Sequence, residues 1–303
     1  MKCAKNATGW IGVFITLIIS GVWSYWGAFE NFHEGWYSKS IWENIFMLLF
    51  QYLLFAWVFT VLALISLRWK RTGLVVHLLT AVFSAWFFRG AVFSVVGLMV
   101  VIPFFILAML YYFGEPKPKK LAYILIIAVP LIIVTAISIP QAVRISRRVN
   151  DNDSGIRTIK TLNYSLSWAP RGPGWPDRGV SWEEACKICM YLSADGETLA
   201  SEPQNIWRLP TVEEAVSSLS LRYNNSEGRW NKEEEKVYYK YVPDKESPLW
   251  DIYSKVIYYW TADTVPSDNE CAYIIVYNGG VYKRTKSSNQ AYLSFCAVKE
   301  AAD

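Results

Sequence analysis

Four cysteines, at 186, 189, 271 and 296, and two histidines, at 33 and 77, are the residues of this chain best suited to nucleophilic, redox or metal chemistry. Cys186-x-x-Cys189 has the spacing of a redox dithiol or of half a zinc site. A zinc site needs a second close pair, and Cys271 and Cys296 stand twenty-five positions apart (296 minus 271). The dithiol also falls on a run with the apolar period of a helix, so no metal and no cofactor are assigned. Both histidines lie far upstream, which leaves no Ser/His or Cys/His arrangement near the other cysteines. The carboxylate run Glu233 to Glu235 reads as a solvated face, and no acid/base pair stands out. The expectation is a protein that is not an enzyme.

The elements that would position these groups divide the chain in two. Apolar residues make up 53% of it and aromatics 16%, too many for a single water-soluble fold. Up to Pro140 there are ten Lys/Arg and four Asp/Glu, a balance of +6; the rest carries twenty and twenty-two, a balance of −2. A membrane part followed by a soluble part fits this split. It excludes a wholly cytosolic enzyme, a disordered chain, a coiled coil and a nucleic-acid binder.

Five spans are expected, at 10–29, 41–67, 74–88, 91–113 and 121–140. The first matches a hydrocarbon core of roughly 30 Å at 1.5 Å per residue and reads as an uncleaved anchor. Leu74 to Phe113 is too long for one crossing, so the chain is expected to turn at Arg89-Gly90. The last span is expected to kink at Pro130. Eight basic residues (Lys2, Lys5, Arg68, Lys70, Arg71, Lys117, Lys119, Lys120) flank one side and five (Lys39, Arg89, Arg144, Arg147, Arg148) the other. By the positive-inside rule the N-terminus lies in the cytoplasm and the C-terminal part outside it, in a bacterial inner membrane. Glu43, Gln51, His77 and Arg89 are read as structural: three near water at span ends or turns, Gln51 bonded to a neighbouring helix.

Residues 141–161 read as a connector and 162–303 as the soluble domain. Ser181-Trp-Glu-Glu184 and Thr211-Val-Glu-Glu214 are two capping boxes, in which a hydroxyl and a carboxylate three residues later exchange bonds with backbone amides. Ala185, Ile188, Cys189 and Leu192 follow the first at helical spacing, with Gly196 where a helix could end. Val212, Ala215, Val216 and Leu219 follow the second, and Pro210 blocks extension backwards. Strands are expected at 257–262, 271–277, 281–285 and 291–298, with a hairpin at Asn278-Gly279. Helices first and antiparallel strands afterwards describe an α+β domain.

Gly179-Val-Ser-Trp-Glu-Glu-Ala185 with Cys189 and Leu192, then Trp207-Arg-Leu-Pro-Thr211 with Glu213 and Glu214, then Tyr259-Trp-Thr261 and Phe295-Cys-Ala-Val298, carry a resemblance. Over residues 162–299 the chain resembles the C-terminal domain of bacterial collagen-like adhesins. That domain is a branch of the C-type-lectin-like superfold, which the formylglycine-generating sulfatase-modifying enzymes share. The spans resemble no family. The expected fold class is thus about five transmembrane helices followed by an α+β C-type-lectin-like domain.

The resemblance implies terminal strands that pair and a long insertion, here Arg222 to Lys255, as the binding surface. Tyr223, Trp230, Tyr238, Tyr239, Tyr241, Trp250 and Tyr253 are its candidate ligand-binding residues, since aromatics give contact area at low entropy cost. Ser181, Trp182, Glu184, Trp207, Arg208, Leu209, Pro210, Thr211, Glu214 and Trp260 are expected to be structural. An even cysteine count in an exported domain suggests disulfides. The family places a helix-to-last-strand bridge, implying Cys189 with Cys296 and leaving Cys186 with Cys271; spacing alone leaves all three connectivities open. The related oxidases bind copper through two cysteines close together near the C-terminal end of the core. Only Cys296 stands there, which argues against their activity. The sugar-binding triplet and calcium are not expected, because Glu202-Pro-Gln-Asn205 precedes the Trp-Arg-Leu-Pro-Thr segment and Trp260-Thr-Ala lacks the partner motif. The function expected is a polytopic membrane protein displaying a non-catalytic module for a protein or glycan ligand. The alternatives are a copper oxidase of the formylglycine-generating kind and an accessory subunit of a larger membrane complex. The partners expected are membrane lipid, that ligand and other membrane subunits, with no nucleic acid.

Overall fold

The computed structural model describes residues 2–33, 36, 38–152 and 155–301; the side chain of His33 and the last two residues of the domain, Ala302 and Asp303, lie outside the described residues. The chain forms two compact units, residues 1–33 with 40–142 and residues 34–39 with 143–303.

The first unit is helical: α1 (Lys2–His33), α2 (Ile41–Met47), a π-helical turn (Leu48–Tyr52), α3 (Leu54–Arg68), α4 (Lys70–Phe87), α5 (Val95–Phe113) and α6 (Lys119–Ser146). Its outside is apolar. On α1, Phe14, Ile18, Val22 and Trp26 are exposed, whereas Thr16, Ser20, Ser24 and Asn31 are buried. A water-soluble bundle would reverse that arrangement, because exposed apolar area is unfavourable in water and buried hydroxyls need partners. By length and composition α1 and α6 are able to cross a membrane, three segments if α2 and α3, bent by 66° at the π-turn, count as one. In α5, Gly97–Phe113 is apolar but shorter, and α4 is not among the long apolar helices.

Several local expectations change here. Between α4 and α5 the chain turns over Phe88 to Ser94, a wider turn than Arg89-Gly90 alone, and Ser94 caps α5 by accepting from Gly97 N at 3.2 Å. Helix α6 runs on through Pro130 and Pro140 to Ser146, so the expected connector begins as helix. Helix α4 begins at Lys70, about two turns before His77. His77 is completely buried. Gln51 lies exposed in the π-turn, not in a helix contact. The bend itself follows from close approach: a Cβ on Gly27 would stand 2.3 Å from the Tyr52 carbonyl oxygen, so only glycine admits this turn beside α1.

The second unit is α+β. Strands β1 (Arg157–Lys160), β2 (Ser165–Trp168) and β11 (Val298–Glu300) form a sheet in the order β1-β2-β11, all antiparallel. Strand β1 falls inside the expected connector, so the domain starts earlier than residue 162. Strands β7 (Tyr258–Val265), β8 (Asp268–Val276), β9 (Val281–Thr285) and β10 (Leu293–Ser294) form the second sheet, in the order β10-β7-β8-β9. Helices α7 (Trp182–Tyr191) and α8 (Val212–Ser218) pack on these sheets, and the small hairpins β3-β4 (Ser220–Leu221, Asn224–Asn225) and β5-β6 (Arg229–Asn231, Lys236–Tyr238) occupy the insertion.

The strand expected at 291–298 is two strands. β10 runs parallel to β7 and β11 pairs with β2, because Phe295-Cys296-Ala297 carries the chain from one sheet to the other through the core. Every residue from Leu293 to Val298 is buried, which removes the alternation that normally separates one strand from the next. At the β8-β9 turn only Gly279 takes a left-handed conformation, at φ 87°.

Candidate functional site

Helix α8 starts with a complete capping box. Glu214 N donates to Thr211 Oγ1 at 3.2 Å, and Thr211 N donates to Glu214 Oε2 at 2.7 Å. Arg208 grips the same carboxylate with both Nη atoms, at 2.7 and 2.6 Å. Burial alone would raise the Glu214 pKa, but the Arg208 and Thr211 bonds outweigh it and hold the carboxyl below its usual range. The box expected on α7 is only half formed. Ser181 accepts from Glu184 N at 3.2 Å, but the Glu184 carboxylate turns outward to accept from Arg178 at 2.7 Å. Gly196 does not end α7, which stops at Tyr191; it sits in a turn four residues past the C-cap, Leu192.

The aromatic motif residues are framework. Trp182, Trp207 and Trp260 donate their indole N–H to the carbonyls of Thr261, Ser193 and Val180 at 2.9, 2.8 and 2.9 Å. Leu209 is buried, and Pro210 O accepts from Ala262 N at 2.7 Å. These bonds tie the Trp-Arg-Leu-Pro-Thr segment to β7 and to the turn after α7, and tie β7 in turn to α7 and the residue pair before it.

The seven aromatics of the insertion do not share one face. Trp250 is wholly buried and stacks on Tyr259 with ring centres 4.1 Å apart. Tyr239 is largely covered and donates to Gly279 O at 2.9 Å, and burial pushes its phenol far up. Trp230 is half-buried, edge-on to Tyr273 at 5.8 Å, and Tyr253 is half-buried beneath Lys39. Of the seven, Tyr223, Tyr238 and Tyr241 alone are exposed, as is Val242. Tyr238 donates to Glu234 at 2.5 Å, which raises its pKa.

The second half of the insertion is buried because its charges are used inside. Asp244 accepts from Arg148 at 2.6 Å, Lys245 donates to Ser254 O, and Glu246 accepts from Arg222 N at 2.7 Å. Asp251 pairs with Arg171, and Ser254 donates to Asp177 at 2.7 Å. Asp244 and Asp251 sit in ion pairs, whereas Lys245 and Glu246 are held by backbone groups, and burial raises the Glu246 pKa.

Arg171 and Asp177 belong to the segment Pro170-Arg-Gly-Pro-Gly-Trp-Pro-Asp-Arg178, which contains none of the site residues expected from sequence. With the outer face of α7 it walls a cleft of about 830 Å³, within the size range of ligand sites. Trp175, Ile188, Tyr191 and Leu199 give it apolar surface; Arg171, Arg178 and Lys187 bring three cations against Asp177 and Glu184. Gly172 takes φ 124°, and a Cβ on Gly174 would stand 2.4 Å from Gly196 O, so the loop is fixed by glycines that no other residue replaces. The three prolines and two glycines in nine residues were the available signal, since such punctuation marks a shaped loop.

The four domain cysteines are thiols in the structure, so neither expected pairing is made in it. Cys186 and Cys296 both lie near enough to Cys189 to disfavour its ionisation, and burial pushes its thiol well up. Burial raises Cys186 to about 11. Cys271 stands apart on β8, its thiol raised by a hydrogen bond with Asp268. Among the described residues no three His, Cys, Asp or Glu side chains are arranged to hold a metal ion.

No protein-family model matches the chain, and no curated protein or solved structure is significantly similar to it.

Proposed function

We propose that the chain is a polytopic membrane protein whose second unit is a non-catalytic ligand-binding module of the C-type-lectin-like kind, held outside the cytoplasm. The cleft between the Pro170–Arg178 loop and α7 carries this reading. It is concave and mostly apolar, and Asp251 and Ser254 of the insertion brace it from behind; with Arg171 engaged by Asp251 and Arg178 by Glu184, Lys187 is the cation that would meet an anionic group. Its occupant has an apolar body and an anionic group, which fits an acidic peptide segment better than a neutral glycan. The pairing of β2 with β11 and the Arg208–Glu214 clasp support the lectin-like assignment. Thiols raised by burial are poor nucleophiles and poor metal ligands, which supports a binding role over catalysis. On the oxidising side of the membrane, Cys189 and Cys296 are the pair that would bridge.

The test is a photo-crosslinking amino acid at Leu199, on the cleft rim, in the full chain expressed in cells. A single adduct, lost when Lys187→Glu is added, is expected. An adduct formed from position 241 and not from 199 would move the site to the exposed tyrosines.

A further inference from the structure

Hydroxyls in apolar helices usually satisfy themselves by bonding back to the carbonyl four residues earlier. In the helical unit Thr8, Thr16, Ser66, Thr80 and Thr135 do this, at 2.7 to 2.9 Å. Ser20 and Ser24 of α1 and Thr60 of α3 do not. Each is buried, and its hydroxyl has no hydrogen-bond partner among the described residues. The amide nitrogen of Asn31, further along the same face of α1, is likewise unpartnered. Thr16, Ser20, Ser24 and Asn31 thus form a polar line along a helix whose opposite side is Phe14, Ile18, Val22 and Trp26.

At one end the line meets a second cluster. Thr16 Oγ1 is 2.8 Å from the Tyr111 hydroxyl, and the Tyr111 ring lies 6.2 Å from that of His77. His77 Nδ1 is 2.9 Å from Gly73 O, a carbonyl, so that nitrogen carries the proton and donates. Nε2 is then a bare acceptor, fully buried and without a partner among the described residues. Ser66 and Tyr111 also border a small gap whose other walls include Lys70, Glu115 and Lys119, where Glu115 pairs with both lysines at 3.4 and 3.2 Å. From Thr16 to Asn31 the axial rise is about 22 Å, so this line and the ion cluster together cover most of a hydrocarbon core of roughly 30 Å.

We propose that this seam conducts protons across the bilayer, from the Glu115 end through His77 and Tyr111 to Thr16, Ser20, Ser24 and Asn31. Thr16, Ser20 and Ser24 follow one another about 6 Å apart along the axis, a gap that one bridging water spans with hydrogen bonds to both, whereas the rise of about 10 Å from Ser24 to Asn31 takes a chain of more than one water. Each hydroxyl passes one proton onward as it receives one, His77 holds the transferred proton on Nε2 between hops, and the Asn31 amide, a donor that does not itself titrate, orients water at the end of the line. Nothing is oxidised, and the gradient supplies the direction. The small-residue face alone would say only that helices pack closely; the unpartnered Nε2 and hydroxyls aimed into it are what point to a conducted species. The proposal rests on the helical unit being embedded in lipid.

The experiment is proton uptake by vesicles holding the full chain and an internal pH dye, driven by a valinomycin potassium potential. Uptake at least ten-fold above protein-free vesicles is expected, falling to that baseline for Ser20→Ala with Ser24→Ala and for His77→Phe. Val22→Ala, on the lipid-facing side, should leave the rate unchanged. Wild-type uptake at baseline, equal rates in the serine pair, or equal passage of sodium would overturn the proposal. Flotation and carbonate extraction of the same vesicles separate the two failures: protein that is stripped away refutes the membrane reading, and protein that stays refutes the seam.

Discussion

Arg208 and Glu214 meet in two parallel hydrogen bonds of 2.7 and 2.6 Å, and the same carboxylate closes the N-terminus of α8. One side chain thereby fixes both the Arg-Leu-Pro-Thr segment and the start of the helix that follows it. Glu214 is almost wholly buried, whereas Arg208 is nearly half exposed, so solvent screens part of the pair. Glu214→Gln is expected to cost about 2 kcal/mol, the scale of hydrogen bonds to a charged group.

The same carboxylate sets a pH dependence. Its pKa is lower folded than unfolded, so its stabilisation is complete above the ordinary carboxylate value, about 4.3, and is lost as pH falls through the folded value. Thermal unfolding of the full chain in detergent from pH 7 to pH 3 should show a steeper acid decline in wild type than in Glu214→Gln. Parallel curves would mean the clasp is not formed.

The insertion's aromatics should separate into two classes in a urea titration. Trp250→Ala removes a fully buried ring stacked on Tyr259 and is expected to cost about 3 to 5 kcal/mol. Tyr223→Ala and Tyr241→Ala touch exposed side chains and should stay within about 0.5 kcal/mol of wild type. Similar losses at 250 and 241 would contradict the burial described.

Gly279 combines a left-handed φ of 87° with a Cβ position 2.5 Å from the Tyr239 ring. Gly279→Ala should therefore lower stability by about 1 to 3 kcal/mol, the scale of an unfavourable backbone region. Gly90→Ala, where nothing lies within 4 Å, should change little. The difference in Tm between the two variants is the readout.

Thiol chemistry gives an independent check on the core. With its pKa raised to about 11, Cys186 should be alkylated slowly at pH 8 and progressively faster as pH rises toward that value. Cys189 and Cys296 are buried and should react only on unfolding. Peptide mass spectrometry after timed alkylation of the reduced protein reads all three. Prompt labelling of Cys189 in folded protein would contradict its place on the buried face of α7.

What was legible in the sequence was whatever local chemistry dictates. The Thr211–Glu214 box, the apolar stripe of α7 and strand β9 follow from short-range pattern, and all appear where the pattern put them. The features that escaped depend on distant partners. Ser181-Trp-Glu-Glu184 reads as a full box until Arg178 draws Glu184 away. Trp250 reads as a surface aromatic until Tyr259, nine residues on, provides its stacking face. Leu293 to Val298 looks like one strand because a buried crossing between two sheets has no period of its own. The cleft loop carried its signal in Pro and Gly, which mark shape without saying what the shape encloses. Ser20 and Ser24 were invisible as a group, since a serine in an apolar helix is ordinary until its carbonyl bond proves to be missing.

The marriage of β2 with β11 brings together Trp168 and Val298, about 130 positions apart, and Arg208 bonds to that same last strand. During synthesis the first of these strands must wait, unmatched, until almost the whole module has left the ribosome. The insertion can gather its ion pairs meanwhile, but the sheet cannot close. A nascent chain stalled before residue 298 should thus remain an easy substrate for proteases and chaperones, however much of its helical structure has already formed.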